Sequence, residues 1–256
     1  PFAFFWFHLK KNSIFVFRSY TVATNFCVVV FLTTSLLWSN FQTPLYYVVP
    51  YADDDTMRST IINVCILTPS FLLTAQSIFL GDCVFFLVVI YFCTEFSCIR
   101  DTIQQLNNED FARKNARIVL REVYEAHTEI IKQFDRVNTV YTQILFLQMF
   151  TSFIYICSMM YLVRFANSPY ATMGNLFSMI CQLVLICYCG QAIMNRSDEM
   201  ADSLYNTTWY CMRHQDQTSV LLLMMGMSKG NRLSAGGILD VSIYSFVQVN
   251  SIAMIY

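Results

Sequence analysis

The sequence predicts an all-α, polytopic transmembrane helix bundle that forms one membrane domain over residues 1–256. Three observations support this fold class: long apolar stretches, few charged residues, and lysines and arginines that lie mostly on one side of the apolar stretches. We place five spans at about 13–38, 60–93, 139–162, 171–194 and 236–256. Each is close to or above the ~20 residues that a helix needs to cross hydrocarbon. Backbone groups in lipid must bond within the protein, so unbroken apolar runs predict helices rather than barrel strands.

The composition argues against several function classes. Only 13% of the 256 residues are charged, whereas an ordinary soluble domain has about a quarter. The net charge of −1 argues against a protein that binds nucleic acid, which would show a concentrated basic face. The sequence has no Gly-rich phosphate loop, no Gly-x-Ser-x-Gly motif and no His pair at ligand spacing. It therefore predicts neither an enzyme nor a bound cofactor or metal.

The distribution of basic residues predicts the orientation of the spans. Lysine and arginine accumulate in short loops on the cytoplasmic side of a membrane. If the first span runs outward, all 16 lysines and arginines except Arg58 and Arg164 lie inside or at an inner helix end. This orientation places the C-terminus outside the cell, and the two sequons, at Asn195 and Asn206, in the cytosol, where they carry no glycan. The apolar segment 1–8 then stops at the inner face, and we expect it to be the end of an earlier helix whose N-terminal portion is missing.

Two charged segments, at about 100–138 and 196–232, predict helices that extend into the cytosol. Apolar residues recur in the first at steps of three and four, which is typical of an amphipathic helix. These residues are Val119, Val123, Ala126, Ile130, Phe134, Val137 and Tyr141. The second segment has Met200, Leu204, Trp209 and Met212 roughly on one side. Mixed charges favour an intracellular assembly layer over helices that lie on the membrane surface, which would need a strong Lys/Arg face.

The ten cysteines do not predict a disulfide framework. All but Cys98 and Cys211 lie within or at the ends of the apolar stretches, where free cysteine behaves as a small hydrophobe. The other two lie in segments that we place in the cytosol, where thiols stay reduced. The Cys-x-Cys pattern at Cys187 and Cys189 has no further His or Cys at ligand spacing, so it indicates helix packing rather than a metal site.

Two acidic residues stand out in the apolar spans, Asp82 in the second and Asp240 near the inner start of the fifth. Intramembrane carboxylates are costly and usually face protein or water. For Asp82 we favour hydrogen bonds to neighbouring helices, since buried polar groups most often serve packing. For Asp240 two interpretations stay open. Its carboxylate either complements the dipole of a helix N-terminus or attracts cations at the inner mouth of a pore.

An ordered series of motifs near the C-terminus carries a family resemblance. Gly190-Gln191 is followed by Ser203-Leu204-Tyr205-Asn206, by Trp209-Tyr210, by the turn 229–237, and by a helix with Ser242, Phe246 and Val249. This order resembles the C-terminal signature of insect odorant receptors. The segment 120–134, with His127, resembles their cytosolic helix before the fifth of seven spans, and the outer loop with Pro50 and Asp53 also fits. The resemblance covers essentially the whole chain and identifies the present spans with family helices three to seven.

The resemblance implies a ligand-gated, non-selective cation channel. Odorant-specific subunits of this family form hetero-tetramers with a shared co-receptor in the plasma membrane of olfactory neurons, with the last helix lining the pore and the cytosolic helices anchoring the subunits. The family has an inverted seven-helix topology, which agrees with the external C-terminus. The chain departs from the family at two places: Ala253, Met254 and Ile255 stand where many members have Ser-Tyr-Ser, and Ser234 stands where the turn has Thr.

Under this resemblance, a small hydrophobic volatile ligand binds by shape and apolar burial in a cavity among the outer halves of the helices. The candidate lining residues share helical faces in three spans. They are Phe31, Thr34 and Trp38, then Ile61, Cys65 and Thr68, then Met173, Phe177 and Cys181. The alternative for each is lipid contact or helix packing.

The candidate pore and gate residues are Asp240, Phe246, Val249 and Ala253. The last three are the candidate gate, because apolar rings close a pore by dewetting, whereas Asp240 would attract cations at the inner mouth. Gln248 and Asn250 are the alternative lining of the water path.

The main alternative function is a gustatory or other non-channel chemosensory receptor of the G-protein-coupled type. The sequence lacks the Asp-Arg-Tyr and Asn-Pro-x-x-Tyr motifs and the extracellular cysteine pair of G-protein-coupled receptors. A transporter would have inverted repeats and broken helices with Gly or Pro at matched positions, and Pro69 alone does not supply them.

Overall fold

A computed structural model describes Val22, residues 57–165 and 169–237, and, near the C-terminus, residues 239–245, 247 and 248. The described chain is mostly helical, which confirms the predicted all-α class. Apart from Val22, the first predicted span (13–38) lies outside the described residues, and so does the C-terminal part of the fifth.

Four α-helices and one small hairpin make up the described chain. The helices are α1 (Met57–Gln104), α2 (Glu109–Phe165), α3 (Pro169–Tyr205) and α4 (His214–Met227). Single 3₁₀ turns, Gln105–Asn107 and Trp209–Cys211, follow α1 and α3. The strands β1 (Ser234–Ala235) and β2 (Leu239–Asp240) pair antiparallel after α4. The chain turns helical again at Ile243.

The three long helices are long and apolar enough to cross a membrane, by length and composition, and the chain is a membrane protein. An apolar window long enough to cross hydrocarbon lies within each of the stretches Thr68–Asn107, Glu109–Tyr161 and Leu176–Cys211. Each helix is longer than the ~20 residues that hydrocarbon requires. The surplus length carries the charged residues of the sequence, such as Arg117 and Arg121 on α2.

The chain divides into two compact units. One comprises residues 1–87 and 156–181, and the other comprises residues 88–155 and 182–256. In the described part of the first unit, the buried side chains include Phe79, Asp82 and Phe86. The second unit contains the end of α1, most of α2, the end of α3, α4 and the hairpin, and it holds the site described below.

The core of the second unit forms where apolar faces of α1 and α2 meet. The rings of Phe92 and Phe134 pack edge to face, with their centroids 5.2 Å apart. On α2, Val119, Val123, Ile130 and Phe134 are all buried, so most of the predicted amphipathic stripe points inward.

The predicted stripe of buried residues was wrong at one position. Ala126 is exposed, and His127 takes the inward position instead, with only 6% of its surface exposed. A helix returns to the same face after three or four residues. From Val123, a step of three reaches Ala126 and a step of four reaches His127, so spacing alone allows either residue to be buried. The step of four leads to His127, and from there the step of three leads to Ile130.

The predicted cytosolic segment 196–232 consists of three pieces rather than one helix. α3 ends at Tyr205, where the hydroxyl and backbone N–H of Thr207 both bond to the carbonyl of Leu204. Side-chain bonds of this kind compete with helix continuation. Met200, Leu204 and Met212 are buried, as their shared side predicts. Trp209 is half-buried.

Polar contacts join the C-terminal ends of α1 and α3. Arg100 of α1 bonds to Glu199 of α3 at 3.0 Å, and Arg196 bonds to the same carboxylate at 2.9 Å. The hydroxyl of Thr208 donates to the carbonyl of Leu106 at 2.8 Å. These bonds fix the end of α3 against the connection between α1 and α2.

Candidate functional site

The candidate site is the junction that joins α4 to the last helical residues of the described chain. It consists of the loop 229–233, the hairpin formed by β1 and β2, and residues 241–245. Ser234 pairs with Asp240, and Ala235 pairs with Leu239. The backbone N–H of Val241 also donates to the carbonyl of Leu233 at 2.8 Å.

Two glycines explain why the chain turns here. Gly236 and Gly237 have φ values of 65° and 70°, a left-handed conformation that glycine adopts at little cost. The hairpin places Asp240 in a strand, whereas the sequence predicted that a helix begins at residue 236. The helical residues begin at Ile243 instead. There the hydroxyl of Ser242 accepts a bond from the backbone N–H of Ser245 at 3.3 Å, as an N-cap residue does.

Helix α2 holds one side of the junction. The side-chain oxygen of Asn138 accepts a hydrogen bond from the backbone N–H of Ser234 at 3.1 Å. One turn along the helix, the hydroxyls of Thr142 and Ser234 lie 3.2 Å apart, and the carbonyl of Thr142 accepts from the N–H of Gly236 at 3.0 Å. The ring of Phe146 covers Gly236 so closely that a Cβ there would lie 2.9 Å from the ring carbon Cδ2.

Helix α3 holds the other side of the junction. The backbone N–H of Asn231 donates to the hydroxyl of Ser197 at 2.9 Å, and its side-chain amide donates to the same hydroxyl at 3.2 Å. Ser197 is only 1% exposed. Two turns earlier, Gly190 packs directly against the backbone of Val241. A Cβ at Gly190 would overlap the carbonyl oxygen of Val241 and lie 2.9 Å from its Cγ1 atom.

One ion pair lies on the surface of the junction. Arg232 bonds to Asp240 at 3.2 Å, with the two side chains 54% and 48% exposed. An exposed pair of this kind contributes about 0–1 kcal/mol to stability. Its main consequence is electrostatic, because the guanidinium partly cancels the field of the carboxylate that the sequence marked as a candidate pore residue.

Two grooves lie between α2 and the α4 region of the same unit. A cavity of about 280 Å³ is lined by Asp135 and Asn138 of α2 and by the loop that carries Lys229 and Arg232. A larger one, of about 570 Å³, is lined by apolar side chains of α2 and α4 together with charged ones. Its lining residues are Arg117, Leu120, Arg121, Tyr124, His127, Asp216, Ser219, Leu222, Leu223 and Gly226.

His127 is the titratable residue that burial affects most clearly in this charged part of α2. It lies in the stretch with the charged residues of the helix, outside the apolar segment that begins near residue 139. Desolvation lowers the pKa of His127 from its usual value, because burial disfavours the imidazolium form. The residue is therefore a neutral member of the core at neutral pH.

The predicted ligand-lining residues are only partly described. Phe31, Thr34 and Trp38 lie outside the described residues. Ile61, Cys65, Met173, Phe177 and Cys181 are exposed on the surfaces of α1 and α3, and 70% of the surface of Phe177 is exposed. Thr68 is half-buried, and its hydroxyl oxygen is buried with no hydrogen-bond partner among the described atoms. These positions stay predictions.

The predicted pore residues lie mostly beyond the described chain. Phe246, Val249 and Ala253 lie outside the described residues, and so does Asn250. Asp240 is described, as a member of the hairpin rather than of a helix. Within the described chain no group of three His, Cys, Asp or Glu side chains is arranged to hold a metal ion, and the nine described cysteines are free.

Sequence reasoning did not single out the residues that hold the junction, except Gly190, which appeared only as part of a motif. Asn138, Thr142 and Ser197 read as ordinary helix residues. A usable signal was present for two of them: Asn138 and Thr142 are polar and lie one turn apart at the beginning of an apolar segment, where polar side chains on one face indicate a polar contact.

Comparison with known proteins gives the family. The sequence model described as "7tm Odorant receptor" matches residues 6–254. The chain belongs to the odorant receptor family. Two solved structures share its fold, both of the insect olfactory receptor OR5 from Machilis hrabei, one in complex with eugenol and one without. They superpose with TM-scores of 0.82 and 0.80 at 12% identity, over 100% of this chain and 68% of OR5. At this identity the likeness establishes the fold of the odorant receptor and nothing finer.

Proposed function

We propose that this odorant receptor binds a small hydrophobic volatile molecule and, with a co-receptor, forms a ligand-gated, non-selective cation channel in the plasma membrane. The observation that carries the proposal is the family match over residues 6–254. The eugenol complex of OR5 supports the ligand class, because eugenol is a small molecule bound by a receptor of the same fold. The spans, the external C-terminus and the hetero-tetramer belong to this proposal.

The junction supports a channel mechanism because it connects three elements at the beginning of the last helix. α2 bonds to the hairpin through Asn138 and Thr142, and α3 packs against Val241 through Gly190. A displacement of either helix therefore changes the position from which the last helix starts. In a channel whose last helix lines the pore, with Phe246, Val249 and Ala253 as the gate, such a displacement alters the pore diameter. Ligand then opens the channel by its higher affinity for the open arrangement.

The ligand site is proposed at the faces named from the sequence. Phe177 and Met173 lie on the apolar part of α3 and are 70% and 52% exposed in the isolated chain. Apolar surface of these side chains that a bound ligand covers contributes to the free energy of binding, at about 25 cal/mol per Å². The same exposure means that truncating Phe177 removes little of the chain's own packing, so its effect on ligand response can be separated from an effect on folding.

The test is electrophysiological. The receptor in its natural full length is expressed with a co-receptor in cells that have no endogenous odorant receptor, and a panel of volatile apolar molecules is applied. We expect a cation current that requires both subunits and at least one ligand. The controls are cells with the co-receptor alone and with this receptor alone. A response that persists without the co-receptor and disappears when G-protein signalling is blocked would favour the non-channel receptor instead.

A matched pair of variants tests the ligand site. We expect Phe177→Ala to raise the half-maximal ligand concentration at least about tenfold, since one apolar contact contributes about 1–3 kcal/mol to discrimination. Tyr188→Ala is the control, because Tyr188 is an aromatic residue of the same helix, is 62% exposed, and lies outside the proposed pocket. Equal responses of the two variants at equal surface density would remove Phe177 from the site.

A further inference from the structure

We propose that Gly190 is a positioning residue that couples α3 to the last helix, by a direct backbone contact with Val241. The proposal rests on the channel function proposed above and specifies one route by which α3 controls the pore. It concerns a residue pair within one unit of the structure, at the point where the hairpin ends and the last helical residues begin.

The first support is the closeness of the contact. Gly190 is buried, and its missing side chain leaves room for the carbonyl of Val241, which a Cβ would overlap. Cγ1 and the carbonyl carbon of Val241 would lie 2.9 and 3.0 Å from that Cβ. Because the obstacle includes backbone, rotation of a side chain does not relieve the overlap. Any larger residue at position 190 must move α3 or Val241.

The second support is the position of Val241. Its side chain is 3% exposed, and its N–H bonds to Leu233 in the hairpin. The next residue, Ser242, caps the helical residues that follow, through its bond to the N–H of Ser245. Val241 is thus fixed on both sides, and a shift of its backbone moves the first turn of the last helix.

The third support is the comparison with other helical glycines. Gly81, Gly174 and Gly226 have nothing within 4 Å of the place where a Cβ would stand. A glycine costs a helix interior about 1 kcal/mol relative to alanine, and Gly190 has a reason for that cost that these three lack. Gly190 also belongs to the same continuous helix as Met173 and Phe177, the proposed ligand-lining residues of α3. A ligand that displaces this helix therefore acts on Val241 without an intervening flexible side chain.

The experiment compares Gly190→Ala with the matched control Gly226→Ala, in the full-length receptor with its co-receptor at equal surface density. We expect Gly190→Ala to change the half-maximal ligand concentration or the ligand-free current by at least about fivefold, the lower end of typical coupling between sites. Gly226→Ala should stay within about twofold of the wild type, because its Cβ meets no neighbour. A residue needed only for packing would change surface density but not the current per channel at the surface.

A second measurement covers the case in which Gly190→Ala does not reach the surface. Hydrogen exchange of the wild-type complex is then measured with and without an activating volatile. We expect ligand to change exchange in the peptide around Gly190 and in the peptide that contains Val241 together. A change in the first without the second would overturn the coupling, as would a Gly190→Ala channel that reaches the surface and responds like the wild type. A wild-type receptor with no ligand-evoked current would contradict the proposed function itself.

Discussion

The side-chain oxygen of Asn138 accepts a hydrogen bond from the backbone N–H of Ser234, 3.1 Å away and 96 residues later in the chain. This bond fastens the first strand of the hairpin to α2. Asn138 is half-buried, and its neighbour Thr142 repeats the attachment one turn further along. The bond therefore sets where the hairpin begins, and the hairpin sets where the last helix begins.

The first prediction concerns this bond. Asn138→Ala leaves the N–H of Ser234 without its acceptor, which costs about 1–3 kcal/mol for a group removed from water. We expect a lower apparent melting temperature of the purified receptor, by about 2–4 °C for each kcal/mol.

Asn195→Ala is the matched control for this prediction. Asn195 accepts a bond from Gln191 on the exposed surface of α3, one turn away. Water replaces such a bond at little cost, so the melting temperature should change by less than about one degree. Equal losses in the two variants would show that Asn138 stabilises its own helix rather than the hairpin.

The second prediction concerns charge at the junction. The Nη1 atom of Arg232 lies 3.2 Å from the Oδ2 atom of Asp240, so the guanidinium partly cancels the negative charge of the carboxylate. If Asp240 lies near the inner mouth of the pore, Arg232→Gln exposes its negative charge and should raise single-channel cation conductance. Asp240→Asn should lower that conductance by a smaller factor, because its charge is already partly cancelled.

Stability serves as the control for the second prediction. Both side chains are about half exposed, so each substitution should change the free energy of unfolding by no more than about 1 kcal/mol. Unchanged conductance in both variants, at normal stability, would remove Asp240 from the ion path.

The third prediction is a pH dependence of stability. Burial lowers the pKa of His127 in the folded protein below its unfolded value. The unfolded chain therefore binds more protons once the pH falls below about 6.5, the ordinary value for histidine. Stability contributed by neutral His127 is complete above that pH and is lost as the pH falls toward the depressed folded value.

His127→Gln gives the matched comparison, since it keeps a polar side chain of similar size and does not titrate. We expect the melting temperature of the wild type to fall more than that of His127→Gln between pH 7 and pH 5. The charged residues that line the same groove, Arg117, Arg121 and Asp216, are present in both proteins. Parallel pH profiles would contradict this prediction, because they would show that His127 binds its proton in the folded protein as readily as in the unfolded chain.

The fourth prediction tests the orientation of the chain. The sequons at Asn195 and Asn206 lie at the end of α3, which the orientation places in the cytosol. We expect no shift in electrophoretic mobility when a glycosidase that removes N-linked glycans is applied to the wild type.

A positive control comes from the predicted outer loop. Gln42→Ser makes Asn40 the acceptor of a new Asn-x-Ser sequon, and this variant should carry a glycan that the enzyme removes. A glycan on Asn195 or Asn206, with none on Asn40 of the variant, would reverse the orientation and place the C-terminus inside.

Apolar length and helical periodicity were enough to predict the helices. The buried stripe Val119, Val123, Ile130 and Phe134 follows from spacing alone, because a helix repeats its face every three or four residues. The burial of His127 was not predicted, because only apolar residues were considered as members of the periodic pattern. Its ring is apolar enough to be buried once it is neutral.

The junction could not be predicted in the same way, because its contacts join residues that are distant in the chain. Ser234 meets Asn138, and Val241 meets Gly190, by virtue of how α2 and α3 pack in the second unit. A Gly-Gly pair after Ala235 indicates a turn, but it does not specify a hairpin in place of the first turn of a helix. Positions such as Phe177 were selected because they share a helical face and lie in the outer half of a predicted span. Exposure of such a side chain in a single chain is expected whether it contacts lipid or ligand.

Whether the receptor and a co-receptor form a ligand-gated channel is tested most directly by recording from an outside-out membrane patch that contains both. The pipette solution contains a G-protein inhibitor and lacks nucleotides. We expect an activating volatile, applied to the outer face, to open a cation current in the isolated patch, because the ligand-binding and pore-forming parts belong to one complex. A receptor that responds in intact cells, but gives no current in such patches until GTP is restored, would contradict this expectation.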